Sequence, residues 1–137
     1  MGAFKDVQDA SRYFKDDRFA TENGIEITEI TDEHAVARLV VQPHHLNANH
    51  MVMGGAIFTL ADLALSALGC NLHLPVVGTD CNIHYLSPGR EGDTLYATAR
   101  CLKNGRTTVV MESDVTNQDG KRVAHMTGTA FKIYPKE

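Results

Sequence analysis

The feature that most constrains the fold is a run of apolar and small residues, GGAIFTLADLALSALGC, at residues 54–70. Ala and Leu are strong helix formers and the run contains no proline, so it predicts a single helix. The run is apolar almost all the way round, a pattern typical of a helix that is buried on most sides. Asp62 near its middle disfavours a membrane-spanning helix, because a carboxylate at that depth costs about 2.5–3.5 kcal/mol. The helix therefore needs a shell of protein around it.

Strand-like segments on both sides of this helix can form the shell. Alternating or β-branched patterns bounded by turn residues predict two strands before the helix and four after it, over 24–30, 34–41, 76–86, 93–102, 106–116 and 121–134. Asn104-Gly105 and Asp119-Gly120 predict two-residue hairpin turns. Residues 4–20 predict a short amphipathic helix. These elements indicate one α+β domain over residues 1–137, with an antiparallel sheet wrapped around the long helix.

Composition limits the class of protein, its cellular compartment and the partners that it can bind. The hydrophobic share of 43% and charged share of 22% are those of an ordinary globular protein. A net charge of −4 argues against nucleic acid or a membrane surface as the main partner. Three cysteines without a CxxC pair favour reduced thiols. The N-terminal residues are too charged for a signal peptide, and we expect a cytoplasmic protein.

Three polar side chains interrupt the apolar helix. Thr59, Asp62 and Ser66 are spaced i, i+3 and i+7, which places them in one stripe on one face. Burying a lone carboxylate is unfavourable, so this stripe is expected to face a cleft or an interface. A structural aspartate that caps or pairs with a neighbouring strand is the alternative explanation.

Gly54 and Gly55 stand where the chain enters the helix. The first N–H groups of a helix are unpaired and lie at the positive end of its dipole, so they can hold an anion or a developing oxyanion. Asp62 is two turns further along, roughly 11–12 Å away along the axis. One helix would struggle to bring the two together, whereas antiparallel helices from two subunits could. The spacing therefore points to a site shared in a homodimer.

The histidines of HHLNANH do not predict a metal site. His44, His45 and His50 are not accompanied by an HExxH or carboxylate-rich frame, and adjacent ligands rarely converge on one ion. We expect His44 and His45 to be solvated, while His50 could line the site. His84 and His125 fall within strand patterns, where packed or hydrogen-bonded histidines are the more common case.

The residues around the helix start resemble a known family. Asn47, Met53-Gly54-Gly55 and Asp62, within the run GGAIFTLADLA, are similar to the motif of the hotdog-fold acyl-CoA thioesterases of the PaaI type and the thioesterase-superfamily-member-2 type. The stretch DCNIHYLSPGREGD resembles the third strand and following turn of that family. The resemblance covers about residues 24–134.

This resemblance implies a hotdog fold that forms edge-to-edge dimers, which often pair into tetramers. It also implies hydrolysis of an acyl-CoA, with coenzyme A present only as part of the substrate and no metal or other cofactor. The N–H of Gly54 or Gly55 would polarise the thioester carbonyl, and Asp62 of the partner helix would activate water or attack directly. Asn47 would orient the water or carbonyl, and Ser66 would hold the water.

The substrate itself is expected to contact further side chains. Candidates are a loop histidine, the residue before the glycine pair, an aromatic residue of the helix and a hairpin arginine that could meet CoA phosphate: His50, Met53, Phe58 and Arg106. The chain departs from the family at two of these, since Met53 stands where His is usual and His50 where Gly is common. Two alternatives stay open: an acyl-CoA-binding protein without turnover, and an enoyl-thioester hydratase or dehydratase on the same fold.

Overall fold

The computed structural model describes residues 2–135. Two short helices open the chain, α1 (Val7–Phe14) and α2 (Arg18–Glu22), and the long helix is α3 (Gly54–Leu72). The strands are β1 (Glu26–Ile30), β2 (His34–Val40), β3 (Val76–Tyr85), β4 (Thr94–Asn104), β5 (Thr108–Thr116) and β6 (Arg122–Lys132). A 3₁₀ turn, Pro43–His45, lies between β2 and α3.

The strands form one antiparallel sheet of six, in the order β1-β2-β4-β5-β6-β3, and α3 contacts all of them. Burial alternates along the sheet, as in β5, where Val109, Met111, Ser113 and Val115 are buried and the residues between them are half-buried. That alternation places one face of the sheet on α3 and the other toward solvent. The predicted α+β hotdog arrangement, with a helix inside an antiparallel sheet, is confirmed.

Helix α3 is held inside this sheet along most of its length. It is long and apolar enough to cross a membrane by composition, with a mean hydropathy of 1.5, yet 61% of that window is buried within the protein. Gly128 of β6 allows the close approach, because a Cβ there would lie 2.9 Å from Leu65 and 3.1 Å from the Cys81 sulfur. The all-round apolar pattern of α3 is thus explained by the sheet that covers it.

The N-terminal segment differs from its prediction. Instead of one helix over residues 4–20, α1 and α2 are separated by residues 15–17. The segment breaks at Lys15-Asp16-Asp17, and Asp17 becomes the residue before α2. Aspartate favours helix ends over helix interiors, because its side chain competes for backbone hydrogen bonds. The break turns α2 so that Phe19 lies near α3, as described below.

Both hairpins are correctly located, but their predicted two-residue turns are wrong. Asn104 is still part of β4, and the N–H of Gly105 donates to the carbonyl of Thr108 at 2.8 Å, so the turn lies at residues 106–107 rather than at Asn104-Gly105. Asp119-Gly120 lies in a turn over residues 117–121. There the Asn117 side chain accepts hydrogen bonds from two backbone N–H groups at 3.0 Å each. A side chain that replaces backbone partners in this way stabilises a wider turn than dipeptide composition predicts.

A buried asparagine near the end of α3 ties three segments together, and we expect its loss to destabilise the fold. The Asn71 side chain is 3% exposed, accepts from the N–H of Phe4 at 3.0 Å and donates to the carbonyl of Thr31 at 3.0 Å. Asn71→Ala should lower the free energy of unfolding by about 2–4 kcal/mol, because the buried N–H of Phe4 loses its partner and the hydrogen bond to Thr31 is lost as well. Denaturant unfolding measures this. Asn49→Ala, in an exposed loop, is the control, and equal stability of the two variants would contradict the prediction.

Candidate active site

The carboxylate of Asp62 is half-buried on α3 and lies between two cavities. On the β3 side it lines a small cavity of about 60 Å³ with Ser66 and Cys81. On the α2 side it lines a cavity of about 370 Å³ with Phe58 and Phe19. Ser66 and Phe58, both predicted as site residues, are thus adjacent to Asp62. The carboxylate therefore faces open space, as predicted from its place in the polar stripe.

The surroundings of Asp62 favour its protonated form. Burial raises the pKa of this carboxyl above its ordinary value of 3.8, the negative charge of Asp17 raises it further, and the Cys81 thiol, 3.9 Å from Oδ1, partly offsets both. Among the described residues, the Cys81 thiol is the hydrogen-bond donor to the Asp62 carboxylate, and no cation pairs with that carboxylate. A structural aspartate would be surrounded by stronger donors. The poorly solvated carboxylate is instead suited to accept a proton from water.

The third member of the polar stripe has a different role. The Thr59 hydroxyl donates to the carbonyl of Gly55, one turn earlier in α3, at 2.8 Å. Thr59 lines both the cavity that contains Asp62 and a second one beside the helix start. It therefore lies between the carboxylate and the glycine pair on the same face of α3.

The start of α3 leaves two N–H groups open. Met53 precedes the helix without a side-chain cap, and its carbonyl accepts from the N–H groups of Ala56 at 2.9 Å and Ile57 at 3.2 Å. In the part of the chain that the structure describes, the N–H groups of Gly54 and Gly55 donate to no protein acceptor. Gly55 is exposed, and a Cβ there would meet only the Met53 side chain, at 3.9–4.0 Å. An oxyanion could therefore reach these donors.

An apolar pocket of about 380 Å³ lies beside Gly55. Its apolar walls come from the N-terminal segment, β2 and the helix start: Phe19, Ile25, Leu39, Met53 and Ala56. Its polar walls are largely occupied, since Asn23 Nδ2 donates to the carbonyl of Phe19 at 2.7 Å and Thr59 is bonded to Gly55. Met53, a predicted substrate contact, is 52% exposed at this pocket.

His45 is buried, and the prediction that it is solvated is wrong. It is 4% exposed, its Nδ1 accepts from the N–H of Gln42 at 2.9 Å, and its Nε2 donates to the carbonyl of Asn23 at 2.8 Å. The 3₁₀ turn at Pro43–His45 folds the ring inward, where it links the loop before α3 to the end of α2. His44 is exposed, as predicted. His125 is hydrogen-bonded to Asp114 at 2.8 Å, as predicted for a strand histidine, whereas the same prediction is wrong for His84, which is exposed on β3.

The remaining predicted residues lie outside these cavities. Asn47 Oδ1 accepts from the N–H groups of Asn49 at 2.9 Å and Met51 at 3.2 Å, so the side chain braces the loop before α3. His50 is exposed in that loop with a φ of 61°, and Arg106 is exposed in the β4–β5 turn. Neither lines the three cavities described above. Within residues 2–135, no group of three or more His, Cys, Asp or Glu side chains is placed to hold a metal ion.

Sequence reasoning missed three side chains at this site. Cys81 and Tyr85 lie on the face of β3 that looks toward α3, Cys81 beside Asp62 and Tyr85 beside Gly54. The alternation of β3 is the signal that could have placed them on one face. Phe19 lines both larger cavities, but nothing local to its sequence indicates that.

A single long helix inside an antiparallel sheet, with a half-buried carboxylate on the helix and a glycine pair at its start, defines a hotdog protein suited to thioester chemistry. The sequence model of the Thioesterase superfamily matches residues 49–124. The chain belongs to that superfamily, and the resemblance seen in the sequence is confirmed.

Individual relatives agree with this assignment over nearly the whole chain. The acyl-coenzyme A thioesterase PaaI of Escherichia coli is 36% identical over 127 residues, which cover 92% of this chain and 90% of that protein. The structure of the E. coli PaaI protein from the phenylacetic acid degradation operon has a TM-score of 0.88 at 33% identity, covering 94% of both chains. A hypothetical thioesterase of Streptococcus pneumoniae, solved with coenzyme A, has a TM-score of 0.82 at 34% identity, covering 90% of this chain and 99% of that one.

Proposed function

We propose that the protein hydrolyses an acyl-CoA thioester to the free acid and coenzyme A, at a site shared by two subunits and without a further cofactor. The observation that carries this proposal is the Asp62 carboxylate, which is half-buried, has a raised pKa and has no cationic partner among the described residues. It lies on the helix whose glycine start offers open N–H donors. Relatives named acyl-CoA thioesterase and a neighbour solved with coenzyme A support the substrate class.

The reaction follows from these two features. The thioester carbonyl oxygen accepts a hydrogen bond from the N–H of Gly55 or Gly54, which stabilises negative charge as it develops on that oxygen. Asp62 takes a proton from a water molecule whose oxygen attacks the carbonyl carbon. The C–S bond then breaks, and the CoA thiolate leaves and recovers the proton. Ser66, adjacent to Asp62, holds the water. Asn47 acts from the loop, where its side chain braces the residues that lead into the glycine pair.

The free edge of the sheet supports a shared site. β3 is an edge strand of ten residues that is exposed over nearly its whole length. Long exposed edges tend to pair with another strand. If β3 pairs antiparallel with β3 of a second copy, the two α3 helices also run antiparallel, and the glycine start of one approaches the partner's Asp62. We therefore propose a homodimer that pairs into a tetramer, acting in the cytoplasm.

The pocket beside Gly55 is the site we propose for the acyl group. The pantetheine arm of coenzyme A contains two amides, which would find few free partners against these mainly apolar walls. The hydrocarbon or aromatic part of an acyl group has no polar groups and therefore loses no hydrogen bonds on entering this pocket. The volume of about 380 Å³ is within the usual range for pockets that enclose small molecules. An aromatic or medium-chain acyl group fits this site better than acetyl, which would leave most of it empty.

Phe19 should therefore influence the choice of substrate. Phe19→Ala is expected to lower kcat/KM for hexanoyl-CoA and phenylacetyl-CoA by about tenfold, because an apolar wall of the pocket is lost. Acetyl-CoA, which is too short to reach that wall, should be affected much less. Phe131→Ala is the matched control, since Phe131 is an exposed phenylalanine on β6 that lines none of the three cavities. Equal losses for all three thioesters would contradict this placement of the acyl group.

Release of free thiol from acetyl-, hexanoyl- and phenylacetyl-CoA tests the proposed activity directly. Tight binding of these thioesters without thiol release would instead identify an acyl-CoA-binding protein. Loss of the enoyl absorbance of crotonyl-CoA without thiol release would identify a hydratase. Either result would overturn hydrolysis as the function.

A further inference from the structure

Tyr85, the last residue of β3, contacts the first residue of α3. Its hydroxyl donates a hydrogen bond to the carbonyl oxygen of Gly54 at 2.9 Å. Its ring lies so close that a Cβ on Gly54 would be 3.0 Å from Cζ and 3.1 Å from the hydroxyl oxygen. The contact therefore depends on glycine at position 54. The ring is 50% exposed, so a bound molecule can approach this corner of the site.

The chemistry of the peptide group makes this contact relevant to catalysis. The Gly54 carbonyl and the Gly55 N–H belong to the same planar amide. A donor on the carbonyl oxygen draws electron density through the amide and makes its N–H a stronger donor, as in other chains of hydrogen bonds. The contact also fixes the plane of the amide and so the direction in which the N–H points.

We propose that Tyr85 is a positioning residue for the thioester carbonyl: through Gly54 it orients and polarises the Gly55 N–H that receives the developing oxyanion. This inference rests on the proposed thioester hydrolysis and assigns the oxyanion donor to Gly55. Access distinguishes the two donors, because Gly54 is half-buried against the Tyr85 ring whereas Gly55 is exposed. The two glycines thus have different roles: Gly54 makes room for the Tyr85 ring, and Gly55 presents the donor.

The protonation state of Tyr85 is consistent with this role. Burial raises the pKa of its phenol above the ordinary value of 10.0. The hydroxyl therefore keeps its proton and remains a donor to Gly54 across the neutral range. Tyr134 provides a matched comparison, since its hydroxyl donates to the carbonyl of Arg106 at 2.8 Å, in the β4–β5 turn.

Steady-state kinetics of Tyr85→Phe test the inference. The variant keeps the ring against Gly54 and loses only the hydroxyl. We expect kcat to fall about three- to tenfold, the usual range for loss of one hydrogen bond. KM should stay at the wild-type value, and the midpoint of thermal unfolding should fall no further than in Tyr134→Phe, which loses a comparable hydrogen bond. Tyr134→Phe should leave kcat unchanged. If wild type hydrolyses thioesters and Tyr85→Phe does so at the same kcat, the inference is overturned.

Infrared spectroscopy provides a readout that a merely structural role would not change. The probe is S-(2-oxoheptyl)-CoA labelled with ¹³C at its ketone, which presents a carbonyl but cannot be hydrolysed. Bound to wild type or Tyr134→Phe, its carbonyl stretch should shift to lower frequency, and bound to Tyr85→Phe the shift should be smaller. S-heptyl-CoA, which has no carbonyl, should bind all three proteins equally. Equal carbonyl shifts in all three would overturn the role of Tyr85.

The two measurements separate this inference from the proposed function. A wild-type protein that binds the ketone with a shifted carbonyl but hydrolyses no thioester would overturn the hydrolysis and leave the role of Tyr85 supported by the spectra. If the protein hydrolyses thioesters and Tyr85→Phe changes neither kcat nor the carbonyl shift, hydrolysis is supported and the role of Tyr85 is overturned. If neither CoA analogue binds and no thiol is released, both proposals fail.

Discussion

Asp62→Asn is expected to lower kcat for thioester hydrolysis by about 10²–10⁴-fold, because the variant cannot take a proton from water. The same substitution should leave the folded protein more stable than wild type at pH 7. Asn is close in shape to Asp but carries no charge to be desolvated between α3 and its neighbours. Large loss of activity together with gain of stability is the result expected of a carboxylate retained for its chemistry.

The sign of the stability change follows from the raised pKa of Asp62. The native state holds this proton more tightly than the unfolded state, so folding stability falls as pH rises from the unfolded value near 3.8 through the higher folded value. Above that window, including neutral pH, the ionised Asp62 carboxylate continues to lower the stability of the folded state. The difference in unfolding midpoint between Asp62→Asn and wild type should therefore be small at acidic pH and grow as pH rises through that window.

Thermal unfolding across pH, together with the pH profile of kcat/KM, measures both effects. The acid limb of the wild-type profile should lie above pH 3.8, since the carboxylate must be ionised to act as a base. Asp119→Asn, in the exposed β5–β6 turn, is the control for removing one negative charge. Wild-type rates in Asp62→Asn would show that another group activates the water. A clear loss of stability would show that Asp62 is structural.

Gly55→Pro is expected to lower kcat by about 10²–10³-fold, the usual effect of removing one oxyanion donor. Proline has no N–H, and in the first turn of a helix it removes a donor that the helix itself does not use. The substitution therefore deletes the proposed contact with the thioester while α3 can still form. Circular dichroism and the thermal midpoint check that it does.

Mixing this variant with Asp62→Ala tests whether the site is shared. Each variant alone is expected to be nearly inactive. In a mixed dimer, Gly55 of the Asp62→Ala subunit can meet Asp62 of the Gly55→Pro subunit, which gives one intact site. Equal amounts of the two, unfolded and refolded together, should regain about a quarter of wild-type activity, because about half of the dimers are mixed and each has one intact site of two. No recovery, although mixed dimers form, would place both residues in the same subunit.

The spacing of apolar and polar residues along the chain was sufficient to predict most of the fold and the residues at the centre of the site. The all-round apolar run predicted α3, and the i, i+3, i+7 spacing predicted that Asp62 and Ser66 would share one face. In the sequence around β1 the apolar residues alternate at Ile25 and Ile27 and then shift to Ile30, and the pairing of β1 with β2 changes register between Ile27 and Glu29. These features depend on the periods of helix and strand, which are properties of neighbouring residues. The turns were less predictable, since the pairing of β4 with β5 sets the position of the first and the Asn117 side chain stabilises the second.

What the sequence by itself determined is a buried helix, six strands, an acid on that helix and a glycine pair at its start, because each depends on contacts between residues close along the chain. Only the tertiary structure decided which side chains surround them. Tyr85 reaches Gly54 across 31 residues and His45 reaches Asn23 across 22, and Phe19 meets α3 only because α1 and α2 are separate helices. Such contacts arise when the sheet closes over α3 and brings distant segments together. No local period encodes them.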